Sequence, residues 1–244
     1  MSRQRLDAFL VASGHFPSRS KARDSILRGC VEINGRLANK PGAFVVEPIQ
    51  LTINDPATGY VARSALKLIA ALDAFELSVK GCSCLDVGQS TGGFTQVLVE
   101  RGATHVTGVD IGHGQLHPSL QQHPRVSSHV GINARHASDI PPGLFELITI
   151  DVSFISLTEI LPAIADRAKP SGHIVALFKP QFEVGRRAIG KGGVVVDDAA
   201  TENALSRVRE EALRTGLALA ASIRSPISGS DGNQEQLLHL VGAR

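Results

Sequence analysis

The chain has 244 residues, 43% of them hydrophobic, with no Trp, one Tyr, one Met and a formal net charge of +2. That length suits one large or two small domains around an aliphatic core. Three cysteines (Cys30, Cys82, Cys84) make neither a disulfide framework nor a zinc pattern, no apolar run is long enough to span a membrane, and Met1–Asp7 lacks a signal peptide's apolar stretch. A cytoplasmic protein with reduced thiols is expected.

In chain order, Arg5 to Ser13 carries Leu6, Phe9 and Leu10 at helical spacing and stops at Gly14. Ser18 is placed to cap a second helix, Arg19 to Leu27, stopped by Gly29. Val31-Glu32-Ile33, Asn34-Gly35 and Arg36-Leu37 read as a hairpin with a tight Asn-Gly turn. Val45-Val46 and Gln50–Ile53 are further short strands. These elements make a small α+β domain over residues 1–54, with a turn-rich linker at 55–62. Residues 1–40 hold eight Lys/Arg against three acids, a local net charge of +5. Such a segment fits either contact with a polyanion or a solvated helix face.

Residues 63–244 alternate strands and helices. Helix Ser64–Phe75 leads to strand Cys82–Val87, helix Thr95–Glu100 and strand His105–Asp110. Helix Ser119–Gln122, strand Val126–Val130, strand Leu144–Asp151 and helix Leu157–Arg167 follow. Strand His173–Phe178, helix Ala199–Thr215 and strands Ala218–Arg224 and Gln236–Val241 close the set. Repeated βα units predict an α/β, Rossmann-like fold, a mainly parallel sheet with helices on both faces.

Asp86-Val87-Gly88-Gln89-Ser90-Thr91-Gly92-Gly93-Phe94-Thr95 joins the first of these strands to its helix, and Asp110 lies 22 residues past Gly88 at the end of the next strand. Strand, glycine loop, helix, strand, acid is an order that holds a nucleotide-like cofactor. The loop lacks the Gly-Lys-Ser/Thr of a phosphate-binding loop, and its glycines are not spaced as in dinucleotide folds. An acidic residue before the loop suits a cofactor with a cationic amino-acid end, and S-adenosylmethionine fits. A tight turn with no ligand is the bland alternative. Ligands of such sheets sit at the carboxyl ends of the strands. There the sequence offers Asp86, Gly88, Asp110, Asn133, Asp151 and Lys179-Pro180, with Glu235 in the turn entering the last strand and Lys67 on the first helix. Taken alone, Lys67 and Glu235 read as surface charges, and Asp151 and Asn133 as turn or capping residues.

Read together, five runs resemble the hemolysin A (TlyA) family across essentially the whole chain. They are Leu85–Thr95, Val109–Leu116, Ile150–Leu157, Phe178–Glu183 and Gly190–Val195. The resemblance implies an N-terminal RNA-binding domain of the ribosomal-protein-S-four type, followed by an FtsJ/RrmJ-like class I methyltransferase domain with a seven-stranded sheet. It implies S-adenosylmethionine-dependent methylation of a ribose 2′-hydroxyl in ribosomal RNA, with cytidine as the expected nucleotide and ribosomal subunits as partners. It supplies a catalytic tetrad, Lys67, Asp151, Lys179 and Glu235, and no metal. Lys179 is the candidate base, although sequence does not decide which lysine takes the proton. Cofactor contacts are expected from Asp86, Gly88, Ser90, Gly92, Gly93, Asp110, Asn133 and Asp151, and RNA phosphate contacts from Arg5, Arg19, Lys21, Arg23 and Arg28. The basic loop Gly185–Gly193 is expected either to close over the target nucleotide or to be a mobile surface loop.

The chain departs from the family pattern at three places. Ala62-Arg63-Ser64-Ala65 replaces Ser-Arg-Gly-Gly, Gln89 stands where Ala is common, and His113 where Tyr is usual. Two other readings compete with the enzyme: a ribosome-assembly factor that does little chemistry, and a membrane-damaging hemolysin. The absence of a span or a long amphipathic basic helix speaks against the latter.

Overall fold

The computed structural model describes residues 3–243. The chain divides into two units, Met1–Thr58 and Gly59–Arg244. In the first, β1 (Gln4–Arg5) leads into α1 (Leu6–Ala12) and α2 (Arg19–Leu27), and pairs antiparallel with β4 (Phe44–Val45). β2 (Val31–Ile33) lies between β3 (Arg36–Leu37) and β5 (Leu51–Ile53) in an antiparallel sheet. Asn34 and Gly35 both take positive φ, 51° and 73°, as a tight hairpin turn requires. Ser18 caps α2, its Oγ accepting from the Lys21 backbone N–H at 3.3 Å. Leu6, Leu10, Ala22, Ile26 and Val31 are fully buried in this unit's core.

The second unit carries α3 (Ala65–Ala74), β6 (Ser83–Val87), α4 (Gly93–Glu100), β7 (His105–Asp110), α5 (Pro118–Gln121), β8 (Val126–Val130) and β9 (Phe145–Ile150). α6 (Leu157–Ile164), β10 (Ala168–Phe178), α7 (Pro180–Glu183), α8 (Asp198–Arg214), β11 (Leu217–Arg224) and β12 (Gln236–Gly242) complete it. The seven strands run in the order β11-β12-β10-β9-β6-β7-β8. Pairing is parallel from β10 through β8, and β12 is antiparallel to both of its neighbours.

Period-two alternation decides which helix each strand residue meets. Leu85, Val87, Ile148, Ile150, Ile174 and Phe178 pack with Leu157, Ile160 and Leu161 from α6 and with Leu205 and Val208 from α8. Cys84, Leu147, Val175 and Leu177, one position out of phase, pack with Leu68, Leu72, Val97 and Leu98 from α3 and α4. The sheet is therefore covered on both faces, and the carboxyl ends of β6, β9 and β10 come together at one edge.

Candidate active site

Four charged side chains from distant parts of the second unit meet in one cleft of about 480 Å³, within the range of small-molecule sites. Lys67 stands on α3, and its Nζ donates to Glu235 Oε2 in a short contact. Both are buried, at 6% and 2% exposure. Glu235 is placed by the turn that enters β12, and Asp151 directly follows β9. Lys179, directly after β10, contacts Asp151 Oδ1 at 2.6 Å and donates to Ser153 Oγ at 3.0 Å. The second pair is more open than the first, with side chains 11% and 17% exposed.

A buried carboxylate ties the two segments that carry Asp151 and Lys179. Glu183 Oε1 accepts from the Leu157 backbone N–H at 2.8 Å, and Oε2 accepts from Ser156 Oγ at 2.6 Å. Glu183 thus satisfies a free donor at the start of α6 and fixes the loop after β9 against the turn after β10. Burial raises its pKa above the usual carboxylate range. Within that loop, Phe154 has φ +65° and is 89% exposed, its ring 4.9 Å from that of Phe182. Phe154 thus takes a left-handed conformation that bulky residues rarely adopt, in the wall of the cleft. Sequence reasoning missed Phe154 and Phe182. Their signal was the presence of one aromatic shortly after each of two strand ends that already carried Asp151 and Lys179.

The glycine loop is built differently from expectation. A Cβ at Gly88, where φ is +85°, would lie 2.4 Å from the Asp151 carbonyl oxygen, so the loop rests directly on the end of β9. At Gly92 a Cβ would meet Leu120 at 2.3 Å, and at Gly93 it would meet Ser64 Oγ at 2.3 Å. At Gly88 the obstacle is backbone, so packing within the chain itself requires that glycine; Gly92 does not line the cleft, whereas Gly88, Ser90 and Gly93 do. Asp86, expected to touch the cofactor, is fully buried beneath the loop. Its carboxylate accepts from Thr95 Oγ1 at 2.6 Å and Thr149 Oγ1 at 2.9 Å, and burial pushes its pKa up to about 6. It braces β6, α4 and β9 and makes no wall of the cleft.

Asp110 and Asn133 also stand outside the cleft lining. Asp110 accepts from the backbone N–H of Ser90 and of Gly112, each at 2.7 Å, which fixes the carboxylate beside the loop. Each oxygen keeps a lone pair for a further donor. Asn133 Oδ1 accepts from the Arg135 backbone N–H at 3.2 Å. Gln181 Oε1 is buried in the cleft wall without a hydrogen-bond partner. An aimed carboxylate for hydroxyls, a second carboxylate, Asp151, for a cation, and an unmet acceptor suit a nucleoside with a cationic amino-acid tail.

In the first unit the expected RNA contacts divide. Arg5 and Arg19 both reach the buried Asp7, at 2.9 and 3.0 Å, yet their side chains are 45% and 59% exposed. The Arg5 guanidinium holds the Asp7 carboxyl down to about 2. Lys21 and Arg23 lie on the exposed side of α2. Arg28 does not fit the expectation. Its side chain is 12% exposed and bridges Asp24 at 2.8 Å and Asp55 at 2.7 Å, which locks Asp55 to α2 rather than leaving it in a free linker. At the other end of the expected linker, the Val61 N–H donates to Gln96 Oε1 at 2.8 Å. The Gly185–Gly193 loop is held, since Asn233 donates to the Gly193 carbonyl and accepts from the Val195 N–H, both at 2.8 Å. Its Arg186, Arg187 and Lys191 are exposed.

Residues 60–241 match the FtsJ-like methyltransferase family, and residues 4–47 match the S4 domain. The chain belongs to the FtsJ-like methyltransferase family. It is 42% identical over 240 residues to the 16S/23S rRNA (cytidine-2′-O)-methyltransferase TlyA of Mycobacterium tuberculosis, covering 98% of this chain and 90% of that protein. Identity to Hemolysin A of Brachyspira hyodysenteriae is 37%, over 97% of this chain and 99% of that one. A solved structure from Streptococcus thermophilus that carries the hemolysin name is 39% identical with a TM-score of 0.76, covering 100% of this chain and 90% of its own. This FtsJ-like methyltransferase matches those relatives over nearly its whole length. No helix among its described residues is long and apolar enough to cross a membrane.

Proposed function

We propose that the protein is an S-adenosylmethionine-dependent 2′-O-methyltransferase that modifies ribose in ribosomal RNA, at cytidine. The convergence of Lys67, Asp151, Lys179 and Glu235 beside the glycine loop carries this reading. The name of the Mycobacterium tuberculosis relative supports ribosomal RNA as substrate and cytidine as target.

When bound, S-adenosylmethionine supplies a methyl group already activated on a sulfonium. Asp110 is placed to accept from its ribose hydroxyls, and Asp151 to face its cationic part. A ribose hydroxyl is a weak nucleophile and needs a base within hydrogen-bond reach. Lys179 Nζ would take the 2′-hydroxyl proton as the methyl group passes to that oxygen, and Asp151 would hold the resulting ammonium. Lys179 is favoured over Lys67 because Lys67 is the more deeply buried and is spent on Glu235. Exposed Phe154 offers a face on which an unstacked base can rest. Arg5, Arg19, Lys21 and Arg23 are the phosphate-facing cations, which give affinity and position rather than sequence reading.

The test is incubation with methyl-labelled S-adenosylmethionine and separated small and large ribosomal subunits lacking the modification, followed by digestion to nucleosides. Labelled 2′-O-methylcytidine from either subunit is the expected result. Label on a base, or none on either subunit with cofactor binding confirmed, would refute the reading and favour an assembly factor.

A further inference from the structure

Gln89 is a neutral polar side chain in the wall of the cleft, yet only 3% of it is exposed. Its amide turns inward beneath the glycine loop. Nε2 donates to Thr95 Oγ1 at 3.0 Å, and Oε1 accepts from Ser128 Oγ at 2.6 Å. Thr95 in turn donates to the buried Asp86. One continuous polar chain therefore runs Ser128, Gln89, Thr95, Asp86, Thr149. It joins β8, the loop, α4, β6 and β9, while the neighbouring backbone of Ser90, at φ +47°, donates to Asp110.

Room for this arrangement comes from one residue. A Cβ at Gly108, in the middle of β7, would lie 2.0 Å from Gln89 Nε2 and 2.1 Å from its Cδ. No other group stands among the nearest atoms there, and Gly108 is absent from the positive-φ residues. An alanine in place of Gly108 would therefore meet the Gln89 amide first and force it to move.

We infer that Gln89, seated over Gly108, is a positioning residue that fixes the cofactor loop, and with it the Ser90–Asp110 contact, for S-adenosylmethionine binding. The inference rests on the cofactor reading given above. Fully bonded buried polar chains specify a single geometry, and their members act as a unit. Removing the amide frees Thr95 and Ser128 and lets the loop sample orientations in which Ser90 no longer directs Asp110. Because the effect lies in the loop, it changes cofactor affinity and leaves RNA affinity alone.

The test compares the full-length unsubstituted protein with Gln89→Ala, Gly108→Ala and the double variant. Calorimetry gives the Kd for S-adenosylmethionine, steady-state methylation gives KM for each substrate, and thermal unfolding checks the fold. Gln89→Ala is expected to weaken cofactor binding about threefold to tenfold, the loss of one or two neutral hydrogen bonds. KM for RNA should stay unchanged. Gly108→Ala should show the same loss, because its methyl group expels the amide. The double variant should be no weaker than Gln89→Ala alone, since the amide that the added methyl group would displace is already gone. Unchanged cofactor affinity in Gln89→Ala, or multiplying losses in the double variant, would overturn this inference while leaving the cofactor reading intact. Absence of S-adenosylmethionine binding by the unsubstituted protein would overturn both.

Discussion

Both units hold their cations against carboxylates, but at very different sequence range. In the N-terminal unit the partners are near, with Arg5 to Asp7, Arg28 to Asp24, and Arg28 to Asp55 separated by 2, 4 and 27 residues. In the cleft Lys67 meets Glu235 across 168 residues. The near pairs organise a surface and leave some cations exposed. The distant pair can exist only after the whole sheet has formed, and it is buried on both sides. A local charge pattern thus reports where a polyanion could dock, whereas a reacting centre depends on topology.

The largest expected stability effect belongs to the distant pair. Glu235→Ala leaves the Lys67 ammonium buried without its partner, which costs about 3–5 kcal/mol in urea unfolding. A loss below about 1 kcal/mol, typical of exposed pairs, would place Lys67 in solvent. Next comes Arg28. Because its head is nearly enclosed between two carboxylates, Arg28→Ala should lower stability by about 2–3 kcal/mol. RNA affinity should remain unchanged apart from that loss, and a specific loss of RNA binding with full stability would return Arg28 to the RNA face.

The two units also respond to pH with opposite sign. Asp7 is held down to about 2, so its contribution is present above its unfolded pKa near 4 and is lost as the pH falls through 2. Asp86 is raised to about 6 by burial, so its contribution is complete below about pH 4 and is lost as the pH rises through 6. Roughly 2–3 kcal/mol of stability attached to Asp86 should disappear across that window. Asp86→Asn should remove this decline when unfolding free energies are measured at pH 4 and pH 7. An identical pH profile for both proteins would show that Asp86 ionises as if it were in water.

The smallest effect is expected at an exposed arginine. Arg19→Ala should leave the fold intact and weaken RNA binding at low salt, lowering the slope of log K against log salt by about one. An unchanged slope would assign Arg19 to Asp7 alone.

Much of the fold was legible because periodicity and turn residues act locally. The Asn34-Gly35 turn, the Ser18 cap and the strand at Phe145–Ile150 all stand where the pattern places them. The strand-end rule found Asp151 and Lys179 from the residues themselves. It noted Lys67 and Glu235 near those ends but gave no reason to bury them; alone they read as surface charges, and their catalytic role came only from the family resemblance. Asp86 and Arg28 show the converse limit. An acid beside a glycine loop and an arginine on a basic helix look functional, but the structure turns both inward, onto Thr95 and Thr149 in one case and Asp24 and Asp55 in the other. Burial is a property of the assembled chain, and spacing does not carry it.

Single-turnover methyl transfer by Lys179→Ala, with S-adenosylmethionine binding confirmed by calorimetry, tests the central claim most directly. Loss of a positioned general base predicts a rate lower by about 10²–10⁴-fold with cofactor affinity retained. Transfer at the unsubstituted rate would contradict the account and remove Lys179 from the reaction.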